Sequence, residues 1–368
     1  MTTPVRVPEV PGVLTAAQVQ ETAAAVVRVQ QPDGGIPWAV GEHIDVWNHV
    51  EAAMALLVAG EVDASEAAYE WVRRRQRTDG TWPMKIIGEA VEDDSAETNM
   101  CAYLAVGVWH HWLVRRDLAF VQRFWPVVRG GLDYVASMQA PFGGISWCRE
   151  VDGTLREDGG TLLAGSSSIY HSFRAGLSLA DLVQEPQPDW EVVAGGLRHA
   201  LEAHRDLFMD KSTFSMDWYY PVLGGPVRGR EAYELFESRW SDFVVEGLGC
   251  RCVDTNPWIT GAETCELVLA LDNVGDRDRA LALFGDMQHS RHESGLYWTG
   301  YVFPEGVWWP NEQTTYTSAA VILAADALSG ATPGAGIFRG DLLPAEPRPM
   351  PLQCGCDERV VSGSSRGH

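Results

Sequence analysis

The chain has 368 residues, enough for a large core, and carries 28 basic against 50 acidic side chains for a net charge of −22. That balance disfavours nucleic acid and anionic membrane surfaces as partners. No stretch approaches the ~20 apolar residues of a membrane span, Met1 to Pro11 lacks the regions of a signal peptide, and the seven cysteines show no framework spacing, so a cytoplasmic protein with reduced thiols is expected.

Along the chain, helix-period patterns alternate with turn clusters, and no convincing period-2 run occurs. Amphipathic helices are expected at about 15–31, 64–77, 117–139, 189–209, 230–248 and 276–290, each with charge on one face. In the second of them Glu70, Arg73 and Arg74 sit beside Ala68, Trp71 and Val72. Each is followed by a more apolar helix, starting near Trp47, Glu97, Ser167, Asp217, Glu263 and Glu312. Helices apolar nearly all round, as in the run Ala319 to Ala325, are buried. The fourth of this set is held to a short piece by Pro221 and Gly224-Gly225. The expected fold is therefore all-α: a single (α/α)6 toroid over residues 15–330, six helical hairpins with an inner and an outer ring. Residues 1–14 form an N-terminal segment, and the Pro/Gly/Ser-rich stretch 331–368 reads as a mobile tail.

Gln76-Arg77-Thr78-Asp79-Gly80-Thr81-Trp82 recurs in looser form at Gln30 to Trp38, Gln139 to Trp147 and Gln288 to Trp298. Asp79-Gly80 suits a tight turn, the Trp82 ring can cover the helix end, and the Gln76 amide can bond the last carbonyls of its own helix. On this element the chain resembles the terpenoid cyclase and protein prenyltransferase superfamily over about residues 15–330. The resemblance implies an α/α barrel and an isoprenoid substrate. Val91-Glu92-Asp93-Asp94-Ser95-Ala96 is also similar to the D-x-D-D-T-A motif of class II terpene cyclases. That likeness implies Asp93 as proton donor to an alkene or epoxide, Asp94 beside it, and protonation-initiated cyclisation. Val91 stands where that family has its first Asp, and Ser95 replaces its Thr.

The residues leading into the inner helices are polar and aromatic. His43, Asp45, Trp47, Asn99, Tyr170, His171, Asp217, Tyr219, Tyr220, Trp258, Glu266, Trp308 and Glu312 are the expected substrate-binding set. Aromatic walls with a few acids describe a small-molecule cavity, and Trp47, Tyr219, Tyr220 and Trp308 could stabilise a carbocation. Two further readings share this architecture. One is an inverting glycoside hydrolase or related carbohydrate-active enzyme, whose carboxyl pair stands ~6.5–9.5 Å apart. Asp45, Asp93, Asp217 and Glu312, on different hairpins, could supply that pair. The other is a non-catalytic, small-molecule-binding toroid. Asp94 to Glu97 and Thr260 to Glu263 also fit capping boxes. His110-His111 reads as structural. Cys250-Arg251-Cys252 and Cys354-Gly355-Cys356 lack the ligand number and spacing of a zinc site, and no Asp-x-Cys pair occurs, so neither metal nor cofactor is expected. There is no phosphate loop, dinucleotide fingerprint or nucleophile elbow.

Overall fold

The computed structural model describes residues 6–340 and 342–354. Met1 to Val5 of the N-terminal segment, and the tail from Gly355 with Cys356, lie outside the described residues. Among the described residues twelve α-helices follow in chain order: α1 (Ala16–Val29), α2 (Val46–Val58), α3 (Val62–Arg75), α4 (Thr98–Arg115), α5 (Leu118–Ser137), α6 (Leu163–Val183), α7 (Pro188–Ala203), α8 (Ser215–Leu223), α9 (Gly229–Phe243), α10 (Gly261–Asn273), α11 (Arg277–Asp286) and α12 (Thr315–Ser329). The even-numbered helices form a closed succession: α2 packs on α4, α4 on α6, α6 on α8, α8 on α10, α10 on α12, and α12 back on α2. The odd-numbered helices pack around them.

Composition explains which helix goes where. α2 and α12 are buried along almost their whole length, and Ala52, Ala53, Ala55, Ala319, Ala320 and Ala324 let neighbouring backbones approach closely. α3 buries only Ser65, Ala68, Tyr69, Trp71 and Val72, and turns its arginines outward. As expected, α8 is short, with Pro221 inside it and Gly224 at its end. A Cβ on Gly224 would stand 2.8 Å from the Ser167 carbonyl oxygen, so the inner ring is tight at this point.

Short strands lie in the loops, and the expectation of a purely helical chain is corrected to a mostly helical one. β1 (Lys85–Ile87) pairs antiparallel with β2 (Ala90–Asp93), and β3 (Ala96–Glu97) with β4 (Cys148–Arg149). β5 (Val244–Val245), β6 (Gly249–Arg251), β7 (Trp258–Thr260), β9 (Gly300–Val302) and β10 (Val307–Trp308) form one sheet in the order β10-β9-β7-β6-β5. β8 (Tyr297–Trp298) pairs with β11 (Gln313–Thr314). Strands of two to four residues carry no readable period, which is why the sequence shows none.

The Gln-to-Trp element acts between helices. Gln76 Nε2 donates to the Gly80 carbonyl of its own turn (3.0 Å) and to Val127 of α5 (2.8 Å), so it bridges to the next outer helix and does not cap its own. Gln30 reaches Ala64 of α3, and Gln139 reaches Val193 of α7, in the same way. Trp82 does cover its helix, donating to Val72 (2.8 Å). Gly80 has φ +85°, and a Cβ there would meet the Gly130 carbonyl at 2.1 Å. Only glycine allows that approach. Gln288 is the exception, bonding Phe284 of its own helix. Its turn still closes the outer ring: Thr22 of α1 donates to Gly295 (2.8 Å).

The described part of the C-terminal stretch, read from the sequence as a mobile tail, lies against the ring. Phe338 and Ile337 are buried, and Asn273 donates to the Phe338 carbonyl (2.8 Å). Arg198 donates to Pro347 (3.0 Å) and pairs with Glu346 (3.1 Å). Enough apolar and hydrogen-bonding groups recur between its prolines to hold it down. Among the described residues no helix is long and apolar enough to cross a membrane.

Candidate functional site

The first two turns of the inner helices converge on the ring axis. Asp45 caps α2, accepting from the Asn48 amide (2.9 Å) and side chain (2.5 Å), with His43 Nε2 3.7 Å away. Two residues on, the Trp47 ring stands in contact with Tyr103, Tyr220 and Tyr316, with centroids 5.9, 6.1 and 6.3 Å away. Four inner helices thus meet around one indole. Trp38, from the loop before α2, stacks on His43 and Tyr316 and donates to Glu312 (2.9 Å).

Two carboxyls lie in this floor. Glu51 accepts from Trp47 Nε1 (3.1 Å) and the Tyr103 hydroxyl (2.8 Å). Glu266 accepts from the hydroxyls of Tyr219, Tyr220 (2.8 Å) and Tyr316 (2.5 Å). Burial pushes Glu51 up to about 7 and Glu266 up to about 8, with the Asp45 charge adding to the first shift and the Glu51 charge to the second. The tyrosine hydroxyls pull Glu266 the other way without prevailing. Beneath them a slot of about 10 Å³, room for about one water, is bounded by Ser168, His171 and Phe338.

The acids at the rim have distinct settings. Burial raises Asp45 above its ordinary value, against the Asn48 and His43 contacts that lower it. Glu97 caps α4 by accepting from the Met100 amide (2.6 Å), and burial pushes it up to about 7, with the Asp45 charge adding to the shift. Glu263 is half-buried in the first turn of α10, where its charge complements the helix dipole. Asn99, buried in the first turn of α4, leaves Oδ1 without a protein partner.

The expected capping boxes are not formed as such. Helix α4 starts after Glu97, which is itself the cap, and Asp94 instead pairs with Arg77 on the surface. Thr260 stands at the cap of α10 with its hydroxyl unpartnered.

Of the residues expected to bind substrate, His43, Asp45, Trp47, Tyr219, Tyr220, Glu266 and Glu312 come together here, with Asn99 at the same end of its helix. Others do not. Tyr170 lies toward Arg174, Arg198 and the tail's Glu346, and His171 stacks on Phe338 below the floor. Asp217, pushed up to about 6 by burial, accepts from the Ala164 amide (3.2 Å) and lines a separate cavity of about 430 Å³ with Lys211 and Arg239. Trp258 and Trp308 belong to the five-stranded sheet, Trp258 bonding the Trp309 carbonyl and Trp308 stacking on Trp298.

Asp93 sits in the β1–β2 hairpin, where its carboxylate accepts from the Ser95 amide (3.0 Å) and hydroxyl (2.6 Å). Partial burial works to raise it, but the Ser95 bonds, Arg156 and Lys85 together hold it below the ordinary carboxylate range. A group held ionised is a poor alkene-protonating acid. Glu51, Tyr103 and Trp38 are central and were absent from the expected set. For Glu51 and Tyr103 the signal is a charged or hydroxyl side chain one helical turn beyond an aromatic or polar lead-in, Trp47 and Asn99; Trp38 ends the first Gln-to-Trp repeat.

No family model matches the chain. It is 54% identical over 338 residues to the MMP endo-(1,4)-3-O-methyl-alpha-D-mannosidase of Mycolicibacterium hassiacum, a match covering 92% of this chain and 93% of that protein. Among solved structures, a wild-type glycosidase superposes with a TM-score of 0.67 at 16% identity, over 86% of this chain and 98% of its own. A D-mannose isomerase does so at 0.62 and 12%, over 84% and 95%. A rhamnosidase from Klebsiella oxytoca with rhamnose bound gives 0.60 and 13%, over 87% and 65%. At such identities these structures speak for the fold alone. The resemblance to terpenoid cyclases and prenyltransferases, with its isoprenoid substrate and protonation-initiated cyclisation, is overturned by the mannosidase relative. The Gln-to-Trp element that suggested it is staple chemistry open to any ring of helical hairpins. With more than half its residues shared across nearly the full length of both chains, this protein belongs to the family of the MMP endo-(1,4)-3-O-methyl-alpha-D-mannosidase.

Proposed function

We propose that the chain is a glycoside hydrolase on an (α/α)6 toroid, cleaving within α-(1→4)-linked mannose chains that carry 3-O-methyl groups. The substrate class rests on the 54%-identical relative. The observation that supports placing the chemistry at the ring axis is the meeting of carboxyls in unlike settings around Trp38 and Trp47. Indole faces suit the apolar face of a sugar, and a methoxy group adds to that apolar surface.

Asp45, buried and held protonated to higher pH than usual, donates its proton to the glycosidic oxygen as the C1–O bond breaks. Glu263, half-buried and able to reach solvent, takes the proton from the water that attacks C1. The product then leaves with inverted anomeric configuration. Asn99 Oδ1 accepts a sugar hydroxyl. Glu51 and Glu266, tied by the aromatic hydroxyls and the Trp47 indole, hold the floor in place.

The test is hydrolysis of 3-O-methylmannose oligosaccharides by Asp45→Asn and Glu263→Gln. Each should lower kcat by about 10²–10⁴-fold with melting temperatures within a few degrees of the parent, and proton NMR should show the inverted anomer first. Parental kcat in either variant, or a retained anomer, removes this assignment.

A further inference from the structure

Away from the mouth, the C-terminal stretch returns to α7 and ends its described course beside two histidines. His199 on α7, His204 just past its end and Cys354 each offer one ligand atom, and these atoms lie within 4.8 Å of one another. Cys354 Sγ stands 3.4 Å from a ring nitrogen of His199. The two imidazole centroids are 5.0 Å apart, with the rings inclined at 72°. His204 is buried, while the other two are half-buried, so the cluster is walled on one side and reachable from the other.

We propose that His199, His204 and Cys354 bind a zinc ion that fastens the C-terminal stretch to the outer face of the ring. Two imidazoles and a thiolate are a nitrogen–sulfur donor set, which suits zinc and excludes calcium and magnesium, both of which require oxygen. With Zn–S near 2.3 Å and Zn–N near 2.0–2.1 Å, tetrahedral geometry separates sulfur from nitrogen by about 3.5 Å, close to the 3.4 Å between Cys354 and His199.

The cluster is held in place from both sides. Met350 N donates to Gly195 (2.9 Å) and Gln353 N to Pro141 (3.1 Å), so the chain arrives at Cys354 already docked. Arg198, next to His199, ties Glu346 and Pro347 to the same helix. Three protein ligands leave a fourth position for water or another donor. On binding, the Cys354 thiol proton passes to solvent and the thiolate bonds the metal, so uptake is tighter at higher pH. By itself the C-x-C pair at Cys354 lacks the ligand number and spacing of a zinc site. His199, 155 residues upstream, and His204, 150 residues upstream, supply what the spacing lacks.

The experiment is titration of cobalt(II), then zinc, into the metal-free full-length chain. A visible spectrum of tetrahedral cobalt with a thiolate charge-transfer band is expected at one equivalent. Zinc should bleach it, and Cys354→Ser and His204→Asn should each abolish it while leaving mannoside hydrolysis at the parental rate. A parent without these bands, or bands unchanged in both variants, overturns the site and leaves a thiol–imidazole hydrogen bond as the contact. As a check independent of variant folding, zinc should protect Cys354 of the parent from alkylation read by peptide mass spectrometry. Equal labelling with and without zinc also overturns it.

Discussion

Glu266 accepts hydroxyl hydrogen bonds at the centre of the ring, yet burial and the nearby Glu51 keep its proton on to unusually high pH. Its folded pKa lies above its unfolded one, so its contribution to stability is complete below the ordinary glutamate value of ~4.3. That contribution is lost as pH rises through the higher folded value. Unfolding free energy of the parent should therefore decline from pH 5 toward pH 8, and Glu266→Gln, which cannot ionise, should show a shallower decline in urea titrations. Equal slopes would contradict the burial argument. Asp93 is the opposite case. Its carboxylate is satisfied by Ser95 in a surface hairpin, so Asp93→Asn should leave kcat on a methylmannoside within about twofold of the parent, well short of the 10²–10⁴-fold of an acid–base residue.

At the scale of elements, the turns after α1, α3, α5 and α11 are each bonded to the next outer helix. Gly80→Ala puts a methyl group against the Gly130 carbonyl at a positive φ, and should cost about 3 kcal/mol in denaturant unfolding. A loss under 1 kcal/mol would mean that α3 and α5 can part without strain. Most of this architecture was legible in the sequence. The helix starts near Trp47, Asp217 and Glu263 fall within two residues of α2, α8 and α10, because 3.6-residue periodicity and Pro or Gly stops are local signals. The strands were not legible, since a two-residue pairing such as β8 with β11 is chosen by the loops it joins. The site was legible only in part. Asp45 and Trp47 announce themselves as a polar lead-in, but Glu51 is hidden inside an apolar helix. Whether Trp308 faces the axis or a sheet depends on loop paths that no local pattern encodes.

For the whole molecule, the ring has two ends with different work. The helix N-termini converge on acids and aromatic rings, and the tail closes the other end, with Phe338 beneath the axial slot. Phe338→Ala should cost about 3 kcal/mol through the cavity it leaves, and should loosen the floor beneath Glu51 and Glu266. Lower stability with unchanged KM would fit a plug, whereas unchanged stability would show that the tail merely rests there. Because the net charge is −22, added salt should raise the melting temperature by screening self-repulsion.

The bond from Thr22 to Gly295 joins residues 273 apart, and α12 is the last helix to reach its place beside α2. During synthesis at ~5–20 residues per second, the apolar flank of α2 waits tens of seconds for its neighbour to leave the ribosome. A nascent chain halted before Thr315 should stay open and protease-sensitive, and one extended past Gly330 should become resistant. Until α12 arrives, the apolar flank of α2 is exposed on the nascent chain and open to aggregation.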